Sequence, residues 1–154
     1  MRKVVTIAGG AVRNPGNYKI RLGMSYSEVI EAIGGLLSEP YKIVMGGPMM
    51  GVAQYTFDVP VIKTSSALLL FTEEEAKEVE ERDCFRCGKC VDHCPMGLLP
   101  LSLNQYSLHS QEDLFKKYNG MDCIECACCS YICPAKRHLS QSITIMRRDI
   151  MSRR

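Results

Sequence analysis

The first 83 residues contain no cysteine, and all nine cysteines of this 154-residue chain lie between Cys84 and Cys133. That distribution excludes a disulfide framework spread over the whole chain and marks two modules, one bearing metal and one not. Net charge is scarce as well: 19 basic against 17 acidic residues leave +2, too little for a nucleic-acid surface. Long hydrophobic runs are missing. The longest, Ala67-Leu68-Leu69-Leu70-Phe71, falls far short of the roughly 20 residues a membrane-spanning helix needs. Met1-Arg2-Lys3 runs straight into a strand-like segment, so no secretory leader is expected and the chain reads as soluble and intracellular. In a reducing compartment, an odd and dense set of thiols points to metal rather than to disulfides. No Gly-x-Gly-x-x-Gly occurs, and Gly9-Gly10 lacks the third glycine of a dinucleotide-binding turn. His93, His109 and His138 have no partner at metal-ligand spacing and are read as structural or exposed.

What is present in the first module is a mixed pattern. Lys3 to Ile7 and Tyr18 to Leu22 read as strands around the turn signal Asn14-Pro15-Gly16. A helix should follow, with Ser25 and Glu28 as a capping box, Met24 against Val29 as a staple, and Gly34-Gly35 as its stop. Val29, Ile30 and Ile33 form its buried face. Further strands are expected at Lys42 to Met45 and, with Pro60 at an edge, at Val59 to Ile62. Between them Gly46-Gly47-Pro48-Met49-Met50-Gly51 reads as a tight loop whose methionines fill core gaps; close approach to a cofactor or partner is the competing reading. The order implies an α+β class, with a small ubiquitin-like β-grasp module over residues 1–63.

Residues 64–83 are expected to form a helical connector. Thr72 and Glu75 match a capping box, and Glu73/Lys77 and Glu78/Arg82 have i,i+4 spacing. Beyond it, residues 84–154 read as a helix-rich cluster domain. Short helices are predicted from Pro100 and from Ser110 through Tyr118, and a last one carries Leu139, Ile143, Met146 and Ile150 at helical spacing.

The strongest feature is a repeat with a period of 39 residues. Asp83-Cys84-x-x-Cys87-x-x-Cys90-x-x-x-Cys94-Pro95 aligns with Asp122-Cys123-x-x-Cys126-x-x-Cys129-x-x-x-Cys133-Pro134. This is the bacterial ferredoxin run for a [4Fe-4S] cluster, present twice. Three thiolates two residues apart wrap one cube, while the fourth, held by proline, reaches the other cluster. By that rule one cluster takes Cys84, Cys87, Cys90 and Cys133, and the other takes Cys94, Cys123, Cys126 and Cys129. Two neighbouring one-electron centres make a short wire. Zinc is the weaker alternative, since four ligands suffice for it and a third cysteine in each run is superfluous. Cys128, the ninth, is read as a small buried residue beside the cluster, with a role as substitute ligand for Cys129 as the sharper alternative. Arg147, Arg148, Arg153 and Arg154 read as a solvated helix end, with an acidic partner or anionic lipid as the alternative. Arg86 and Lys89 lie in the first run where Glu125 stands in the second. Positive charge favours the reduced cluster, so the Cys84-Cys87-Cys90 cluster should have the higher potential.

These segments together resemble the C-terminal half of the C subunit of the Rnf complex, the ion-translocating ferredoxin:NAD⁺ oxidoreductase of bacterial membranes. The resemblance rests on Val4 to Gly10 with Asn14-Pro15-Gly16, on Gly46-Gly47-Pro48-Met49-Met50-Gly51, and on Val59-Pro60-Val61-Ile62-Lys63. It extends over Arg86-Cys87-Gly88-Lys89-Cys90-Val91, Cys94-Pro95-Met96-Gly97-Leu98, Cys123-Ile124-Glu125-Cys126 and Cys128-Cys129-Ser130-Tyr131-Ile132-Cys133-Pro134. Ala127 departs from a more usual glycine, and a methyl there is tolerable unless the backbone needs a positive φ. The resemblance implies a peripheral protein on the cytoplasmic side of the membrane. Its clusters would relay electrons between a flavin (FMN) and NAD(H) site on a preceding domain and the ferredoxin-like B subunit, beside the membrane subunits. That preceding domain is expected to be absent here, so the fragment alone should hold clusters without oxidising NADH. A cobalamin-reductase-like microcompartment protein shares the layout and stays open as an alternative. So does a β-grasp ligand-binding module whose clusters are structural.

Overall fold

The computed structural model describes residues 1–77 and 79–153, which form two compact units, Met1–Glu78 and Val79–Arg154. The first is mixed. Strands β1 (Arg2–Ala8), β2 (Gly16–Arg21), β3 (Lys42–Met45), β4 (Val52–Gln54) and β5 (Ala67–Phe71) make one sheet in the order β2-β1-β5-β3-β4. β1 pairs antiparallel with β2 and parallel with β5, while β3 pairs antiparallel with both β5 and β4. Alternation puts Val5 and Ile7 of β1, and Leu68 and Leu70 of β5, on the buried face. Against them sits α1 (Tyr26–Ala32), whose Tyr26, Val29 and Ile30 complete the core.

The capping box of α1 forms as its sequence demands. The Glu28 amide donates to Ser25 Oγ at 3.3 Å, and the Ser25 amide donates to Glu28 Oε2 at 2.9 Å. Gly34 (φ 105°) and Gly35 (φ 82°) then turn the chain away. Gly9 is required for a different reason. At φ 117° any Cβ would lie 2.0 Å from the Leu70 carbonyl oxygen, so only glycine lets β1 run on beside β5.

Three expectations are corrected in this unit. Val59 to Ile62 forms no strand; it runs beside the start of α1, where the Tyr26 amide donates to Val59 O and the Val61 amide to Met24 O. Pro60 has no N–H to extend a ladder, and its contact with Ser25 is an isolated bridge. The final strand is instead β5, inside the segment expected to be a connector, so the first unit continues past residue 63. Among the described residues 64–83 there is no helix. Glu75 does reach back to the Thr72 amide, but the same Oε2 also accepts the Gly10 amide at 2.9 Å, so the carboxylate fixes a turn rather than a helix start. Glu78 of the Glu78/Arg82 pair lies outside the described residues. Finally, Met49 and Met50 are exposed and fill no core gap. The tightness of their loop comes from Gly51, whose amide donates to Gly47 O at 2.7 Å.

The second unit is helical: α2 (Lys89–Asp92), α3 (Pro100–Leu108), α4 (Glu112–Lys117), a 3₁₀ turn (Gly120–Asp122), α5 (Cys128–Ile132) and α6 (Leu139–Ser152). Pro100 takes the first turn of α3, where its missing N–H costs nothing. Ser110 does not cap α4; Gln111 precedes it, and Ser110 adopts φ 53°. Asn119 at φ 59° ends that helix in the left-handed region open to it. Leu139, Ile143, Met146 and Ile150 of α6 are all buried, and the last three share a core with Leu98, Leu103 and Phe115. Among the described residues no helix is long and apolar enough to cross a membrane.

Candidate metal centre

The 39-residue repeat of the sequence is also a repeat of backbone conformation. Arg86 (φ 54°) matches Glu125 (φ 56°), Gly88 (φ 79°) matches Ala127 (φ 60°), and Gly97 (φ 62°) matches Lys136 (φ 54°). Each left-handed residue reverses the chain between or just after cysteines. The Gly97 and Lys136 amides then donate to the carbonyls of Cys94 and Cys133, closing the same turn in each half. Gly88 and Ala127 stand immediately before α2 and α5, which a left-handed residue starts in both cases. The methyl of Ala127 therefore occupies a position where the backbone favours glycine, and the conformation costs about 1 kcal/mol.

These turns sort the eight cysteines into two cavities. One, of about 90 Å³, is walled by Cys84, Cys87, Cys90 and Cys133. The other is walled by Cys94, Cys123, Cys126 and Cys129. In each wall three thiols come from one run and the fourth from the other. Two amides already point at cysteine sulfur: Arg86 N–H to Cys84 Sγ and Leu98 N–H to Cys94 Sγ, both at 3.4 Å. Among the described residues no three His, Cys, Asp or Glu side chains converge as they would on a single ion. The thiols ring a space instead, which suits a ligand with several metal atoms.

The walls differ in polarity. Leu98, Leu103, Ile124 and Ile143 make the second cavity apolar, and its wall carries no charged residue among those described. Burial pushes the Cys129 thiol up to about 11 and raises Cys123 in the same direction. Burial also raises Cys90 in the first cavity. Metal–thiolate bonds need the deprotonated sulfur, so loading either site releases protons. In the first cavity Cys84 and Cys87 are exposed, and the wall includes Arg86 and Arg137. The Arg137 Nε is buried and has no hydrogen-bond partner in the protein. An orphaned donor beside four thiols fits a bound group rich in sulfur acceptors.

The helix-end arginines are not simply solvated. Arg147 reaches Glu125 at 2.8 Å and Arg148 reaches it at 2.9 Å. The negative charge in the second run is thus neutralised while Arg86 still lines the first cavity, so the charge contrast between the runs narrows without changing sign. Arg153 bridges Glu112 and Asp149; Arg154 lies outside the described residues. Cys128 is half-buried and in neither cavity wall, its thiol directed at the Cys126 carbonyl at 3.9 Å. Arg137 is what the sequence left unmarked, although aligning the repeat places it opposite Leu98; the positive φ that Ala127 would have to avoid is the one it adopts.

Comparison with known proteins agrees with this division. Residues 4–53 match the SLBB domain family and residues 76–134 match the 4Fe-4S dicluster domain family. The chain is 46% identical over 153 residues to the C subunit of the Na⁺-translocating ferredoxin:NAD⁺ oxidoreductase complex of Acetobacterium woodii, covering 99% of this chain and 34% of that protein. Over almost its whole length the chain is similar to one region of this C subunit. The C subunit of the proton-translocating complex of Clostridium ljungdahlii is 41% identical over 97% of this chain and 33% of its own length. The C subunit of the ion-translocating complex of Methanosarcina acetivorans is 39% identical over the whole chain and 34% of its own length. The chain thus spans about a third of the length of these curated relatives. Residues 76–134, which carry both cysteine runs, are thus a 4Fe-4S dicluster domain by similarity.

Proposed function

We propose that this region of the Rnf C subunit relays single electrons through two [4Fe-4S] clusters, one held by Cys84, Cys87, Cys90 and Cys133 and the other by Cys94, Cys123, Cys126 and Cys129. The observation that carries the reading is the sorting of the eight thiols into two cavity walls, three plus one in each. When bound, such a cluster supplies a one-electron centre whose potential depends on hydrogen bonds and solvent exposure. The protein's part is positional. Left-handed turns at Arg86, Gly88, Glu125 and Ala127 aim the thiols inward, and the amides of Arg86 and Leu98 give hydrogen bonds to sulfur. Leu103 and Ile143 keep water from the second cavity.

In the full-length protein, the electrons pass between a flavin and NAD(H) site on a domain outside this chain and a ferredoxin-like partner, beside the membrane subunits. The chain docks peripherally on the cytoplasmic side. The function for which the relatives are named and their 39–46% identity support that placement. The strand order β2-β1-β5-β3-β4, with α1 on one face, supports a ubiquitin-like β-grasp reading of the SLBB unit.

Paired serine variants test the ligand sets. Anaerobically reconstituted protein should hold about eight iron and eight sulfide. Cys84→Ser with Cys133→Ser removes ligands of one cluster and should retain about four iron, whereas Cys123→Ser with Cys133→Ser should retain almost none. Equal iron in the two double variants, or zinc in place of iron, overturns the assignment.

A further inference from the structure

Arg137 follows the second cysteine run and lines the cavity of Cys84, Cys87, Cys90 and Cys133. Its Nε is buried, and nothing in the protein accepts the hydrogen it carries. Burying a cationic donor without an acceptor is costly, so it persists where an acceptor is supplied from elsewhere. The repeat adds a second, independent observation. Thirty-nine residues earlier stands Leu98, which lines the other cavity and offers it no side-chain donor. The two walls therefore differ here, cation against isobutyl. At a second matched pair, Arg86 lines the first cavity while Glu125 is neutralised by Arg147 and Arg148.

We infer that Arg137 tunes electron transfer, donating its Nε–H to sulfur of the cluster held by Cys84, Cys87, Cys90 and Cys133 and making that cluster the easier of the two to reduce. The inference rests on the ligand sets proposed above. The step it biases is uptake of one electron from a low-potential donor, which adds one negative charge to the cluster and moves no proton. The guanidinium keeps its hydrogen and binds the more negative state more strongly. No comparable donor faces the other site from a side chain among the described residues.

The test is a dithionite titration of the reconstituted chain, followed by electron paramagnetic resonance, on wild type, Arg137→Leu and Arg137→Gln. In Arg137→Leu, which copies Leu98, the reduced-to-oxidised ratio of the first cluster at a given potential should fall about tenfold, equivalent to about 59 mV for one electron. The second cluster should not move. Arg137→Gln retains an N–H without the charge and should fall by less; it also serves if the leucine variant fails to hold iron. An unchanged first cluster in the glutamine variant, or equal shifts of both clusters in either variant, overturns the role of Arg137. Failure of the underlying ligand sets looks different: Cys133→Ser would then leave the first cluster's signal intact in a chain whose Arg137 is untouched.

Discussion

The two units reach order by different routes. In the first, β1, β5 and α1 enclose a core that includes Val5, Ile7, Tyr26, Val29, Leu68 and Leu70, each almost wholly hidden from solvent. In the second, the main buried cluster is Leu98, Leu103, Phe115, Ile143, Met146 and Ile150, and much of the remaining interior is cysteine walls around two cavities. A unit this small with so modest an apolar core needs a staple, and metal is the staple its sequence offers. Hydrophobic burial accounts for the first unit; for the second, cluster binding is the expected support.

The largest effect that could break this contrast is iron removal. Chelation under oxidising conditions should abolish slow amide exchange in α3, α5 and α6 while leaving β1 and β5 protected. Persistent protection of α6 in iron-free protein would mean that the helices stand on their own packing. A smaller effect separates the two halves of the repeat. Ala127→Gly should stabilise the second unit by about 1 kcal/mol, by relieving the left-handed methyl. Thermal unfolding of the loaded protein would show it, with Gly88→Ala destabilising to a similar degree. The smallest effect belongs to the first unit. Hydrogen bonds from the Thr72 and Gly10 amides hold the Glu75 carboxyl below the usual carboxylate range. Its contribution is complete above the ordinary glutamate pKa and is lost as pH falls through the lowered folded value. Glu75→Gln should flatten the acid limb of the first unit's stability; an unaltered acid limb would show that the turn does not depend on the charge.

Legibility in the sequence followed the range of the interactions. The Ser25 capping box and the Leu139–Ile150 stripe are local signals, and both elements form where those residues place them. β5 was hidden because Ala67 to Phe71 is a short apolar run without polar alternation, and only its place between β1 and β3 makes it a strand. The charged stretch after Thr72 has helix spacing but no buried face. Glu75 finds the distant Gly10 amide instead, and no helix follows among the described residues. The gathering of eight thiols into two walls was legible from the repeat, since the Cys-Pro rule is itself a statement about geometry. The pairing of Glu125 with Arg147 and Arg148 was not, because it joins the second run to the far end of α6.

The exchange of fourth cysteines between the runs has a consequence for biosynthesis. Three thiols of the first cavity emerge by Cys90, yet its wall is not complete until Cys133. The second cavity, whose Cys94 is also made early, is completed at Cys129. A ribosome therefore finishes both receptacles within four residues of each other, although the two runs begin 39 positions apart. With the ligand sets proposed above, neither site has all four of its thiols in a nascent chain that stops between the runs, so full ligation of either cluster requires both runs.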